Sequence, residues 1–290
     1  MAEIPIAIIT DEFSQDFEQV CETAVDLGIR HLEIRTAWNK NVVDMTDAEV
    51  SEIAQLAKAS DLDIVSLASP VYKCTLPGGG DIDHRFQQDA FQAAHHFDDQ
   101  PRILRRSLEI ARVLGDPILR VFSFWRTVDP APLTHRIVQL LREAVDTARP
   151  SGVRIGLENE HACNVATAAE TAKILAAIDS PAFGIVWDPA NAYVAGETPF
   201  PDGFNLLPAA RILHVHAKDG VIKPGSDDIV WKELGTGDID WKGQIAALAD
   251  AGYNGVISLE THWGGPGGNK FEGSRICSRN LERLVAQAAS

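Results

Sequence analysis

The sequence lacks long apolar runs and any sign of a secretion signal. No stretch approaches the roughly eighteen consecutive apolar residues that a membrane-spanning helix requires. Residues 1–9 contain neither the basic segment nor the apolar core of a signal peptide. We therefore expect a cytoplasmic protein without a membrane partner.

Cysteine is scarce, with four residues in a chain of 290. No two of them form a CxxC pair, which is the usual element of a structural zinc site or a redox motif. We therefore interpret all four as free thiols of a reducing compartment: Cys21, Cys74, Cys163 and Cys277.

Positive charge is also in deficit. The chain has 26 Lys and Arg residues against 41 Asp and Glu residues, with a formal net charge of −15 and a pI near 5.0. Such a chain repels nucleic-acid phosphates unless its basic residues cluster, and the sequence shows no basic cluster. We therefore expect no nucleic-acid partner.

The chain is rich in alternating strand-like and helix-like segments. Short apolar runs are typical of parallel strands, and each is followed by a segment with helical periodicity. Eight such units without a linker predict an α/β protein, a single (β/α)8 TIM barrel over residues 1–290, with a long loop at 72–100 folding over the barrel mouth. The predicted strands cover residues 4–9, 31–35, 63–69, 118–124, 153–158, 183–188, 211–216 and 256–260. The first helix is predicted to begin at a Ser14 cap and to end at Gly28, with further helices near 46–60, 102–114, 135–149, 165–178, 240–251 and 271–287.

Four predicted strands end on a residue that commonly binds metal. These residues are Glu158, Asp188, His216 and Glu260. The carboxyl ends of barrel strands form the rim where active sites are built, and a doubly wound sheet would instead gather its ligands at one switch point. Three carboxylates at one rim repel each other, and a divalent cation removes that cost. The sequence therefore predicts a metal centre.

Strand parity indicates which side chains point into the barrel. Side chains alternate between the two faces of a strand, so Glu158 shares its face with Gly156 and Glu260 with Ser258. His214 and His216 both point inward. Because His216 lies nearer the carboxyl end of its strand, it is predicted to be the ligand, with His214 one layer below.

The predicted donors make an oxygen-rich site with one imidazole. We expect one divalent ion, Mn²⁺ first, with Mg²⁺, Co²⁺ and Zn²⁺ as alternatives. Such an ion would act as a Lewis acid on a chelated carbonyl and favour loss of the neighbouring proton as an enediolate forms. Glu158 and Glu260 are predicted to be the catalytic base and acid.

Further polar and aromatic residues fall at or just after the strand ends, where they could contact a sugar. An aromatic face suits the C–H face of a sugar ring, although rim packing is the alternative for each tryptophan. Lys218 has the alternative of an ion pair with a neighbouring carboxylate. Glu33 and Arg120 are predicted to neutralise each other inside the barrel. The predicted substrate-binding residues are His161, Asn191, Lys218, His262, Trp125 and Trp187.

Four motifs resemble the sugar phosphate isomerase/epimerase superfamily of xylose isomerase-like TIM barrels, which is similar to AP endonuclease 2. They are residues 187–196 (WDPANAYVAG), 214–219 (HVHAKD), 235–241 (GTGDIDW) and 259–262 (LETH). The resemblance covers almost the whole chain. It implies the same four metal ligands, Glu158, Asp188, His216 and Glu260, and it allows a homo-oligomer, which is common among relatives.

Departures from the superfamily patterns narrow the expected function. Endonuclease IV and the ketose 3-epimerases have a histidine at the position of Asn191, and the strand ends at 67–69 and 121–123 lack the histidines of the nuclease. DNA repair is therefore not expected. We expect a metal-dependent isomerase or epimerase of a small keto or aldo sugar. The alternatives are a lyase or dehydratase of a keto sugar or inosose, and a sugar-binding barrel without turnover. The expected partner is a small carbohydrate or cyclitol.

Overall fold

Eight parallel strands close into a barrel in the computed structural model, which describes residues 4–86, 89, 91–226 and 228–289. In chain order the strands are β1 Ile6–Ile9, β2 His31–Ile34, β3 Thr36–Ala37, β4 Lys40–Asn41, β5 Asp63–Leu67, β6 Ile118–Val121, β7 Ile155–Glu158, β8 Phe183–Trp187, β9 Ile212–Ala217, β10 Asp219–Ile222, β11 Ile229–Lys232 and β12 Ile257–Leu259. The barrel order is β1-β2-β5-β6-β7-β8-β9-β12, and β12 pairs with β1. The predicted (β/α)8 barrel is confirmed.

Helices connect the barrel strands and cover the outside of the barrel. They are α1 Phe17–Asp26, α2 Asp47–Ala59, α3 Gln100–Val113, α4 Thr134–Ala148, α5 Ala168–Ala177, α6 Pro189–Val194, α7 Trp241–Asp250 and α8 Lys270–Ala289. Within the described part of the chain, no helix combines the length and the apolar character needed to cross a membrane.

Local capping defines the helix starts, and it corrects one prediction. Asp16, not Ser14, caps α1, because its Oδ1 accepts hydrogen bonds from the backbone N–H groups of Glu18 and Gln19. The Ser14 hydroxyl accepts a hydrogen bond from the N–H of Asp16, two residues later, before the helix begins. At α2, Thr46 and Glu49 form the reciprocal capping box that the Thr-x-x-Glu spacing favours.

Several strands were predicted to be longer than they are in the sheet. The predicted strand at 118–124 corresponds to β6, and its parallel pairing ends at Val121. The N–H groups of Phe122 and Phe124 instead donate to the carbonyls of Val71 and Tyr72, each at 2.9 Å. The chain after β6 therefore stays extended because it pairs with the loop that follows β5.

Two segments build walls above the carboxyl end of the barrel. The loop after β5 contributes Lys73, Phe86 and Phe91 to the wall of a cavity there. The antiparallel hairpin β10–β11 contributes Trp231 to the same cavity. This hairpin was not predicted from the sequence.

Candidate metal centre

The four predicted metal ligands meet at the carboxyl end of the barrel. One ligand atom from each of Glu158, Asp188, His216 and Glu260 lies within 4.8 Å of the others. All four residues are buried, with exposed fractions between 0% and 3%. The structure therefore brings the four predicted residues together at one point of the barrel.

Asp188 is positioned by the start of α6. Its Oδ1 accepts the N–H of Asn191 at 2.9 Å, so Asp188 caps the helix, and Pro189 occupies the first helical position, where a missing N–H has no cost. The Asn159 side chain binds the Asp188 backbone through both its N–H and its carbonyl, each at 2.8 Å. These contacts leave Oδ2 of Asp188 directed to the cluster.

His216 presents different atoms to two sides of the barrel interior. Its Nε2 lies 3.1 and 3.0 Å from the two carboxylate oxygens of Glu33. Its Nδ1 faces the cluster, 3.4 Å from Glu158 Oε1 and 3.6 Å from Glu260 Oε2. Burial alone would lower the pKa of His216, but the adjacent Glu33 and Glu158 outweigh it and hold that pKa well above its ordinary value.

Glu33 and Arg120 do not pair with each other, contrary to the prediction. Glu33 accepts hydrogen bonds from Ser66 and lies 2.9 Å from His214 Nε2. Arg120 lies 3.1 Å from Glu158 Oε2 and donates to the carbonyls of Ala68 and Ser69. The two side chains therefore have different partners. Glu33 orients His214 and His216, and Arg120 holds the carboxylate of Glu158.

Glu260 is held by two buried cations. The Nη1 of Arg35 donates to Oε1 at 2.7 Å, and the Nζ of Lys218 donates to Oε2 at 2.7 Å. Lys218 also lies 2.8 Å from Asp188 Oδ2. Burial opposes ionisation of Glu260, but Lys218 and the nearby His262 imidazole, 3.6 Å from Oε1, outweigh it and lower the pKa of Glu260 well below its usual value. The ion-pair alternative for Lys218 is therefore realised with two rim carboxylates.

The atoms of the cluster that lack hydrogen bonds fit a divalent cation. Among the described residues, three buried atoms here have no hydrogen-bond partner: His216 Nδ1, Glu158 Oε2 and Asp188 Oδ2. The two carboxylate oxygens have only the ion-pair contacts with Arg120 and Lys218. Burial raises the pKa of Asp188, and repulsion from Glu260 and Glu158 adds to that rise. A cation would relieve both the repulsion and the missing bonds.

A cavity of about 410 Å³ lies beside the cluster, and three of the predicted substrate contacts line it: His161, Lys218 and His262. His262 packs its ring 4.7 Å from the ring of Trp231. Trp125 is half-buried, with its ring 5.8 Å from Lys73 Nζ, which also lines this cavity.

Two other predicted substrate contacts lie away from the cavity. Trp187 is fully buried, and its indole N–H donates to Gln244 of α7 at 3.1 Å, so its ring lies on the helix side of β8. Asn191 is also fully buried, donating to Glu158 Oε1 at 3.3 Å and lying 2.7 Å from His161 Nδ1. We therefore correct the assignment of Trp187, which is a packing residue. Asn191 does not line the cavity and contacts Glu158 and His161.

The sequence predictions missed several residues of the cavity wall. Glu160 lies on the same strand parity as Glu158, two residues later, and that spacing could have identified it. Lys73, Phe91 and Trp231 belong to a loop and a hairpin, for which the strand pattern gives no signal.

Comparisons with known proteins agree with this architecture. A family model described as a xylose isomerase-like TIM barrel matches residues 21–283. An inosose isomerase of Bacillus velezensis is 29% identical over 252 residues, which are 85% of this chain and 82% of the relative. An uncharacterised protein of Methanocaldococcus jannaschii is 27% identical over 248 residues, which are 84% of this chain and 73% of the relative.

Solved structures show the same fold. An IOLI protein with a bound zinc atom superimposes with a TM-score of 0.76 at 19% identity, covering 98% of this chain and 99% of the other. A xylose isomerase-like TIM barrel protein from Mycobacterium smegmatis in complex with magnesium gives a TM-score of 0.70 at 14% identity, covering 100% and 98%.

Proposed function

The chain belongs to the xylose isomerase-like TIM barrel family, and from that premise we propose that it is a divalent-metal-dependent isomerase or epimerase of a small keto or aldo sugar. The observation that carries the proposal is the pair of buried glutamates, Glu158 and Glu260, whose oxygens approach the same His216 Nδ1 atom. They come from β7 and β12, which are separated in the barrel by β8 and β9. Two carboxylates arranged in this way can take a proton from one position of a substrate and return it to another.

We propose that Glu158, Asp188, His216 and Glu260 hold the metal ion. When bound, a divalent cation there would supply Lewis-acid polarisation of a substrate carbonyl. Three carboxylates and one imidazole favour Mn²⁺, with Mg²⁺, Co²⁺ and Zn²⁺ as alternatives. The fit rests on the four donor groups that meet at one point and on three buried atoms among them that lack a hydrogen bond within the described residues.

The two glutamates are held firmly enough to act as positioned catalysts. Arg120 and Asn191 hold Glu158, and Arg35 and Lys218 hold Glu260. We assign proton removal from the carbon beside the carbonyl to one of them and proton return to the other. Return to the opposite face of the same carbon gives an epimer, and return to the neighbouring carbon gives an isomer.

A dehydratase or lyase is the second candidate, and the position of His161 favours it. The Nδ1 of His161 lies 3.0 Å from Glu160 Oε1 and 2.7 Å from Asn191 Oδ1, both acceptors, so this nitrogen carries a proton. Burial opposes ionisation, but Glu160 outweighs it and raises the pKa of His161. An imidazole that lines the cavity can protonate a departing hydroxyl group when it holds a second proton, and the raised pKa favours that form. A keto sugar or inosose would be its substrate.

Proton NMR in D₂O separates these reactions. The Mg²⁺-loaded protein is incubated with ketoses, aldoses, 3-keto sugars and inososes. Deuterium entering beside a carbonyl with an intact carbon skeleton supports an isomerase or epimerase, whereas a new vinylic or deoxy signal supports the lyase. Exchange with none of them would favour a sugar-binding barrel without turnover.

The Glu260→Gln variant tests the base assignment in the same assay. We expect at least about a hundredfold loss of exchange, the usual effect of removing a general acid–base catalyst. Glu52→Gln on the exposed face of α2 is the matched control and should retain full exchange. Normal exchange by Glu260→Gln would refute the assignment.

The proposed partner is a small carbohydrate or cyclitol, without nucleic acid or membrane. The cytoplasmic location and the homo-oligomer remain predictions.

A further inference from the structure

We propose that the cavity beside the metal centre binds a sugar acid, and that the ammonium of Lys73 holds its carboxylate at the end remote from the metal. The inference rests on the proposed sugar-binding function and adds the charge of the ligand. Lys73 is not among the residues predicted to be catalytic, to bind the metal or to bind the substrate.

Lys73 is a buried cation in an aromatic enclosure. Its side chain is 4% exposed, and the residue lines the cavity. The Nζ atom lies 4.4 Å from the ring centre of Phe122, 4.6 Å from Phe91 and 5.8 Å from Trp125. The π faces stabilise the charge but accept little hydrogen bonding, so the ring enclosure favours an ammonium without satisfying its N–H groups.

The polar contacts of Lys73 are incomplete. Within the described residues, its Nζ has one acceptor, Glu160 Oε2, at 3.5 Å, which is the long limit of a hydrogen bond. Glu160 has other partners, because its Oε1 lies 3.0 Å from His161 Nδ1 and accepts the N–H of Ala162 at 3.3 Å. Since an ammonium has three donors, two donors of Lys73 are left to the cavity.

A carboxylate is the group that best completes this environment. Leaving charged donors buried and unpaired is costly, and a charge-assisted hydrogen bond is shorter and stronger than a neutral one. A neutral hydroxyl would satisfy the donors but would leave the charge of Lys73 balanced only by the long contact with Glu160. The ligand is therefore expected to bring one negative charge to this point.

Lys73 serves a part of the ligand that does not contact the metal. Among the described contacts, Lys218 reaches two residues of the metal centre, Asp188 and Glu260, whereas Lys73 reaches none of the four. The ligand that spans both regions is a hydroxylated chain with a carboxylate at the Lys73 end. The carbonyl and hydroxyl groups that react lie at the other end.

Binding of matched neutral and charged probes tests the proposal without turnover. D-gluconate and D-gluconamide have the same carbon chain and differ in charge, and their affinities are measured by calorimetry on the Mn²⁺-loaded protein. We expect gluconate to bind at least about tenfold more tightly, the effect of one charge-assisted hydrogen bond. Lys73→Met should remove most of that ratio while sparing gluconamide binding, with thermal unfolding as the check of folding.

Glu160→Gln is a second variant that keeps Lys73. Because it removes the competing negative charge, we expect it to increase the preference for gluconate over gluconamide. Equal affinities of the two probes in the wild type, or binding of neither, would overturn the proposal. So would a preference that survives in Lys73→Met, because the metal would then hold the carboxylate, and so would tighter binding of glucose 6-phosphate than of gluconate.

The outcomes of this test distinguish a failure of the acid-site proposal from a failure of the proposed isomerase function. Selective gluconate binding that depends on Lys73, together with no deuterium exchange on any neutral sugar or keto sugar acid, would refute the isomerase and keep the acid site. Deuterium exchange on neutral sugars without gluconate selectivity would support the isomerase or epimerase and refute the acid site.

Discussion

The two ring nitrogens of His216 have different surroundings, and the difference determines how this residue can bind a metal. Nε2 lies against Glu33, whereas Nδ1 is buried without a hydrogen bond. A carboxylate on the far nitrogen of a histidine ligand fixes the ring and increases the basicity of the nitrogen that binds. The chain therefore offers Nδ1 as the ligand, with Glu33 as its support.

Replacement of the two inward histidines should separate ligand from support. His216→Ala removes the one nitrogen donor, so we expect Mn²⁺ affinity to fall by more than about a hundredfold. His214→Ala removes contacts with Glu33 and Ser258 and the edge contact with the His216 ring, but no donor of the cluster. We therefore expect a loss within the roughly 10- to 100-fold range of supporting residues. Calorimetric Mn²⁺ titration measures both, and a larger loss in His214→Ala would contradict the assignment of the ligand.

Lys218 should compete with the metal, because its ammonium contacts the same oxygens, Asp188 Oδ2 and Glu260 Oε2. Removing a positive charge beside a cation site reduces repulsion and leaves the carboxylates less neutralised. We expect Lys218→Met to bind Mn²⁺ about tenfold more tightly than the wild type in the same titration. Weaker binding would mean that Lys218 organises the carboxylates rather than opposing the ion.

At the level of elements, the carboxylate of Asp219 joins β10 to the segment that precedes α7. It accepts the N–H groups of Gly220, Gly235, Gly237 and Ile239 at distances between 2.8 and 3.3 Å. The motif at residues 235–241 is therefore explained by the backbone approach to one buried side chain. A Cβ atom on Gly237 would lie 2.2 Å from Asp219 Oδ1.

Gly237→Ala should therefore destabilise the protein. Relief of the contact would separate Asp219 from its backbone donors, and we expect a loss of about 2 kcal/mol or more in the free energy of unfolding. Gly264→Ala is the matched control, since a Cβ there meets no atom within 4 Å, and it should stay within about 0.5 kcal/mol of the wild type. Denaturant unfolding measures both, and equal stabilities would show that the Asp219 contacts contribute little.

Local patterns in the sequence predict the barrel strands well and the side-chain pairing poorly. Strand ends and strand parity were enough to select Glu158, Asp188, His216 and Glu260 as one predicted cluster, because both features follow from the local alternation of side chains. The same parity excludes Trp187 from the interior, since Asp188 next to it points inward, and the sequence interpretation overlooked this. Arg35 and Glu260 are 225 residues apart, and Lys73 and Glu160 are 87 apart. Such pairs form only after the barrel closes, so no local sequence pattern predicts them.

On the scale of the whole molecule, barrel closure concentrates carboxylates from distant parts of the chain in one buried region. The interior holds Glu33, Glu158, Asp188 and Glu260, each nearly inaccessible to solvent. Burying like charges costs stability unless cations compensate them. Arg35, Arg120 and Lys218 compensate part of this charge, but three atoms of the cluster still lack hydrogen bonds within the described residues. Metal binding at this point should therefore be linked to the stability of the entire barrel.

We expect Mn²⁺ to raise the thermal unfolding temperature of the protein and EDTA to reverse the effect. A ligand that binds only the native state at a hundred times its dissociation constant adds about 2.7 kcal/mol of stability. For a domain of this size, that corresponds to a shift on the order of 5 °C or more. Calorimetry with each divalent ion at one concentration would also rank Mn²⁺, Mg²⁺, Co²⁺ and Zn²⁺ by the shift in unfolding temperature that each produces. His216→Ala should abolish the shift, because the effect acts through one site and not through exposed acidic groups. An unfolding temperature indifferent to EDTA and to all four ions would refute the metal centre, since a buried site that binds cannot leave the folded state unstabilised.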